Sequence, residues 1–291
     1  MSMNINLLEA AKQDLKASIL LYKSKQYPQA VFYYQQSVEK AFKSLGLLMD
    51  IVPKDQLGKG IYGHKILMIY KELSQQYKIQ VQELINGLEE KPTLKQFPFL
   101  KDIKVGEQIE HLQAFTNELD KIKGMPNAFS TKESIDEILC EILKTYNETV
   151  LVKISNDDIC EFTKQTMDKI DTIVDEMPIP PNVKDKGDIK KGLAELKNDP
   201  NNIIILSTGI TLIIKALPII MFLFISFLFL AMIVYPHDVQ SRYPNEDIKL
   251  THKYNKHLPI VARLPELIEV QLIALKQLGR LNKVILQFKT L

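Results

Sequence analysis

Cysteine is almost missing from this chain: Cys140 and Cys160 stand alone, with no Cys-x-x-Cys pair and no histidine at zinc-finger spacing. That argues against a disulfide framework and a zinc site, and makes a reducing compartment the default. An excess of one charge is missing too. Lys and Arg number 37 against 35 Asp and Glu, a net charge of +2. No long-range field therefore draws the whole molecule to nucleic acid or acidic lipid, although a local basic patch is allowed. Arginine is scarce, confined to Arg242, Arg263 and Arg280. The opening residues, MSMNINLLEAAKQDLKAS, lack the basic-then-apolar order of a secretion signal, which points to a protein kept in the cell, cytoplasmic by expectation. Gly58, Gly60 and Gly63 do not form the phosphate loop Gly-x4-Gly-Lys-Ser/Thr, so no nucleotide triphosphatase is indicated. Nothing calls for a cofactor or a metal. No stretch alternates apolar and polar with period two, which leaves an all-α fold.

What is present is helical periodicity in a chain of ordinary globular composition, 46% apolar and 25% charged. Residues 7–48 read as two helices. The first ends near Lys25, and Pro28 suits the opening turn of the second. There Val31, Tyr34, Val38, Phe42, Leu45 and Leu48 share one face at three- and four-residue steps. A loop with three glycines follows, and a third helix is expected from about His64 to Tyr77. Helix interrupted by loops continues to about Met177. Capping boxes are expected at Ser130 with Glu133 and at Ser155 with Asp158. Ile135, Ile138, Leu139, Ile142, Leu143 and Tyr146 form a stripe behind the first. The stretch MPIPPNVKDKGDIKKG is a polar linker. A last helix, from about Leu264 to Phe288, repeats Leu267, Ile268, Leu272, Leu275, Leu278 and Leu281.

The first two helices resemble the opening of the HEPN domain, a bundle of four to five helices. The likeness rests on Asp14, Leu15 and Ala17 in the first helix, then Tyr27 in the turn. Gln35, Gln36, Glu39, Lys40 and Lys43 follow in the second helix, and Gly63 and His64 open the third. Arg242, Tyr243 and Pro244 are similar to the Arg-Tyr-Pro element that follows a core helix in that family. The resemblance covers residues 7–77 and 216–288. It implies an up-and-down HEPN-like bundle whose first part is residues 1–77. Residues 78–200 would be a helical insertion and linker, and residues 201–291 would complete the bundle. A tetratricopeptide pair would pack similar small and aromatic residues, but that architecture needs about three tandem copies and no second copy is found.

Many HEPN proteins are metal-independent ribonucleases whose signature is Arg, four to six residues, then His. The resemblance would give His the acid–base work at a 2′-hydroxyl and Arg the phosphate. Here nine residues separate Arg242 from His252. On one helix that is about 15 Å of rise, and Pro244 opposes a continuous helix anyway. The signature is broken, so a ribonuclease with Arg242 and His252 as catalytic pair is an alternative rather than the first reading. A structural tie is the preferred role for Arg242, a surface position for His252 and His257, and a cap for His64.

Gln35, Glu39 and Lys43 fall one turn apart. Singly, Glu39 and Lys43 read as an ion pair beside the core face, worth a few tenths of a kcal/mol. Together with His64 and Tyr243 they are the candidate nucleotide or RNA site in a cleft such as HEPN dimers provide. Phe32, Tyr33 and Tyr34 read as packing. The first reading of function is thus binding of RNA, nucleotide or a protein partner in a toxin–antitoxin or defence setting. A nucleotidyltransferase-type partner is implied by the resemblance, and a homodimer by the excess of apolar surface.

One segment raises a different alternative. Ala216 to Tyr235 is twenty uncharged residues, about 30 Å as a helix and long enough to span a bilayer. A membrane-anchored helical scaffold could use it. A single crossing, however, would part the first three bundle helices from the last. Burial as a core helix, apolar on every face, is therefore preferred.

Overall fold

Two helices and the turn between them set the frame. In this computed structural model, which describes residues 3–51, 79, 131–150, 187, 191, 200–237 and 253–288, α1 spans Met3–Lys23 and α2 spans Tyr27–Leu48. Pro28 lies in the first turn of α2, where a missing N–H costs nothing. The chain leaves α1 through Lys25, which takes a left-handed φ of 60°. Gln26 N–H bonds back to the Leu21 carbonyl at 2.8 Å and Lys25 N–H to that of Tyr22 at 2.9 Å. These are the two bonds of a Schellman stop, made with lysine where glycine is usual. The end of α2 repeats the device: Asp50 has φ 54°, and Ile51 N–H reaches the Gly46 carbonyl at 2.9 Å.

The helices return antiparallel, as three ties show. Ser18 Oγ donates to the Ala30 carbonyl at 2.8 Å near the turn, and Ser44 Oγ donates to that of Asn4 at 2.7 Å at the far end. Between them the Lys40 ammonium meets the Asp14 carboxylate at 2.5 Å.

The fold is all-α, and among the described residues there is no strand. Helix α3 spans Lys132–Thr145, α4 Pro200–Val234, α5 Pro259–Ala262 and α6 Leu264–Phe288. The chain divides into two compact units. One takes α1, α2, α3, α4 from Leu217 and α6 as far as Val284; the other takes α4 up to Ala216 and the chain from Ile285. In the first unit α2 is the central helix, with sixteen of its 22 residues buried. The expected face of Val31, Tyr34, Val38, Phe42, Leu45 and Leu48 is all inside, and so are Gln35, Glu39 and Lys43 beside it. Helix α6 lies against α2, with the Tyr34 hydroxyl donating to the Leu267 carbonyl at 3.2 Å and Gln271 Nε2 to Ser37 Oγ at 3.1 Å. At one end of α6, Asn4 Nδ2 of α1 donates to Asn282 Oδ1 at 2.7 Å. Helix α3 joins the same unit, with Arg263 on Asp136 at 2.5 Å and Gln277 Nε2 donating to the Tyr146 hydroxyl at 3.3 Å.

The apolar run is the C-terminal part of α4. Lys215–His237 is long and apolar enough to cross a membrane by length and composition, and 67% of its most apolar window is buried inside the protein. Phe222, Leu223, Phe227 and Leu230 are fully covered. Phe227 packs edge-on against Phe42 of α2 at 6.2 Å, and Phe222 lies 5.1 Å from the Tyr146 ring. Burying each such ring gives roughly 1.5–3 kcal/mol. Ser226 is inside with them, its hydroxyl without a hydrogen-bond partner among the described residues.

Local details differ from expectation. The cap of α3 is one residue later than the Ser130–Glu133 box. Thr131 Oγ1 accepts from Ser134 N–H at 3.1 Å, and Ser134 Oγ accepts from Thr131 N–H at 3.3 Å. A serine at the third helical position does what a Glu would do, because its hydroxyl reaches the same N–H. Leu143 and Leu272, placed in apolar stripes, are 41% and 50% exposed. Both lie at the edge of a stripe, where a quarter-turn rotation carries a side chain to the surface. The third helix and the Ser155–Asp158 cap lie outside the described residues; of the linker after Met177 only Gly187 and Lys191 are described, and both are helical and exposed, not loop.

Candidate functional site

The candidate residues on α2 are inside the protein. Gln35, Glu39 and Lys43 are 2%, 4% and 7% exposed. Lys43 Nζ lies 2.6 Å from Glu39 Oε1. The ion pair expected there exists, but it is not the weak exposed kind. Both charges are out of water, so their attraction is poorly screened and each is costly to leave without the other. The run Gln-Gln-x-x-Glu-Lys-x-x-Lys thus has a structural explanation. Lys40 closes on Asp14 of α1, Lys43 closes on Glu39 one turn back, and Leu15 beside Asp14 is core. Phe32 and Tyr33 pack edge-on at 5.2 Å. Tyr34 is fully buried, and burial pushes its hydroxyl well above its ordinary pKa.

Of the other candidates, His64, Arg242, Tyr243 and His252 lie outside the described residues. His257 is exposed, as expected of a surface histidine, and its N–H donates to Asn255 Oδ1 at 2.8 Å. The structure does show what flanks the Arg-Tyr-Pro segment on either side. Helix α4 ends in a 3₁₀ turn, Tyr235–His237, and His237 Nδ1 shares a hydrogen bond of 3.0 Å with the Tyr254 hydroxyl. Their rings stand edge to face at 5.6 Å. Burial, helped by nearby Lys253, lowers the His237 pKa to about 4, so the ring is neutral at pH 7. Burial likewise raises that of Tyr254. The chain on either side of residues 238–252 is therefore fastened together by two side chains. Sequence reading passed over both. His237 directly follows the apolar run in YPH, and Tyr254 sits between two histidines that drew the attention instead.

Chemically, a buried ion pair and a neutral histidine bonded to a tyrosine hold a structure in place. Among the described residues no group of three or more His, Cys, Asp or Glu could hold a metal ion.

Comparison with known proteins agrees with this architecture. Residues 6–91 match the HEPN domain. A protein of Methanocaldococcus jannaschii named "Putative toxin MJ1304" is 28% identical over 135 residues, which is 46% of this chain and 86% of that protein. No solved structure matches. The region of this chain that is similar to the HEPN domain contains the α1–α2 hairpin.

Proposed function

We propose that this HEPN-like protein is a toxin-type component that acts by binding RNA, nucleotide or a partner protein, in a toxin–antitoxin or defence setting. The toxin-named relative and the family match support the setting. Binding is preferred to cleavage on one observation: nine residues stand between Arg242 and His252 where the ribonuclease signature resembled above has four to six. Arg242, Tyr243 and His252, with His64, are the proposed contact residues. Their support is the His237–Tyr254 bond, which fastens the chain just before and just after the segment carrying three of them. Gln35, Glu39 and Lys43 contribute by holding the central helix, since their polar ends are turned into the protein.

The same proposal includes a homodimer, a nucleotidyltransferase-type partner and a cytoplasmic location with α4 as a core helix. Residues 78–200 are proposed as an insertion between the third and fourth core helices, with α3 folded back onto the bundle. Fluorescein-labelled single-stranded and hairpin RNAs, incubated with purified protein in EDTA, test the reading. Retarded but intact RNA, with affinity lost in Arg242→Ala, is expected. Metal-independent cleavage abolished by both Arg242→Ala and His252→Ala would establish the ribonuclease alternative instead. Light scattering that shows a monomer at micromolar concentration would remove the dimer.

A further inference from the structure

A groove of about 350 Å³ lies between α1 and α6, within the first unit. Its floor is aliphatic: Leu15 and Ile19 from α1, Leu272 and Leu275 from α6. Its polar rim is made of lysine alone, Lys12, Lys16 and Lys276. The two helices run antiparallel here, because Asn4 meets Asn282 while residues 12–19 lie across from residues 272–276. Leu20, one turn beyond Lys16, is 65% exposed, and Leu272, one turn before Lys276, is 50% exposed. On α6 an exposed leucine and a lysine thus face the groove four residues apart, and on α1 Leu20 stands just outside it. Lys12 is paired with Glu9 at 2.7 Å, but Lys16 and Lys276 have no carboxylate partner among the described residues.

We infer that this groove is a docking surface for an amphipathic helix of a partner protein, one with aliphatic residues along one face and Glu or Asp on both flanks. Charge complementarity chooses the occupant. Leu15 and Leu275 are already buried beneath the groove, so a partner's apolar side chains would cover Ile19 and Leu272, while carboxylates would meet Lys16 and Lys276 across the rim. Nucleic acid fits less well. The lining offers no arginine fork for phosphate and no aromatic face for a base, and its leucines would gain nothing from a sugar–phosphate backbone. A second copy fits less well too, since a two-fold contact sets this surface against itself and brings lysine to lysine. The inference names a surface for the partner in the reading above and rests on it.

The test uses the full chain and fluorescent synthetic peptides of about 20 residues, long enough to form a helix on binding. One peptide has leucines at helical spacing flanked by Glu; its twin has Lys in place of every Glu. A labelled oligouridine is the third probe. Fluorescence anisotropy should show binding of the Glu-flanked peptide, weaker at high salt, and little binding of the Lys-flanked twin. The double reversal Lys16→Glu with Lys276→Glu should weaken it by about tenfold or more. Leu272→Asn, which removes the apolar contact and leaves the charges, should weaken it as well. All three substitutions are at exposed positions, and circular dichroism checks the fold. Equal binding of the two peptides, no binding of the Glu-flanked one, or no effect of the reversal would overturn the inference. So would oligouridine binding that depends on the same lysines, or a dimer dissociated by Leu272→Asn. The RNA assay tests the functional reading separately, because its proposed contacts lie on other residues.

Discussion

Replacing Lys43 by Met should be among the most damaging single changes to the central helix. The ammonium is 2.6 Å from Glu39 Oε1, and the two side chains are 9% and 5% exposed. Lys43→Met fills nearly the same space but leaves the Glu39 carboxylate inside without its ammonium. Breaking a buried pair in that way costs about 3–5 kcal/mol. A domain is stable by about 5–15 kcal/mol in total, so much of the margin would go. With a urea m-value of about 2 kcal/mol/M, the midpoint should fall by about 2 M. Two companions decide the cause. Glu39→Leu combined with Lys43→Met removes both charges and should recover most of the loss. Lys12→Met breaks the exposed pair with Glu9, whose side chains are 40% and 49% exposed, and should change stability by less than about 1 kcal/mol. If Lys43→Met costs no more than Lys12→Met, the pair is not enclosed as described, and residues 35, 39 and 43 return as a binding strip.

Lys25→Gly relieves a left-handed φ of 60° and should stabilise the protein by about 0.5–1 kcal/mol in the same urea titration. Phe227→Ala, at the α2–α4 contact, should cost about 3–5 kcal/mol, which a chain with α4 in lipid would not show in detergent-free solution. For His237 the folded pKa is about 4, below its ordinary 6.5. Between those values the unfolded chain takes up a proton that the folded chain refuses. Stability from this group is therefore complete above pH 6.5 and falls as the pH drops towards 4, by up to about 3 kcal/mol. In melts across that interval His237→Gln should show a correspondingly shallower decline than the parent.

The periodicity of the sequence was enough to place α2, α3 and α6, because each buries a stripe that repeats every three or four residues. It could not show that α2 is central. Val31 to Leu48 reads as one apolar face, and beside it run Gln35, Glu39 and Lys43, residues that sequence rules place in water. Lys43 and Glu39 are inside as partners of one another, and the rest of their burial comes from packing that no local pattern encodes. The end of α1 near Lys25 was legible, but the left-handed conformation there and at Asp50 was hidden for a related reason: a left-handed residue is legible when it is glycine, and here it is not. The apolar run of α4 was ambiguous by composition, and only long-range contacts, Phe227 with Phe42 and Phe222 with Tyr146, show what covers it. The His237–Tyr254 bond joins residues 17 apart across a segment with no periodicity to follow.

Controlled expression of the full chain in a bacterial host, followed as growth after induction, tests the toxin-type reading most directly. Growth should stop when the chain is induced alone, and Arg242→Ala expressed to the same level should relieve the arrest. Unimpaired growth at a level of soluble protein confirmed by immunoblot would contradict it.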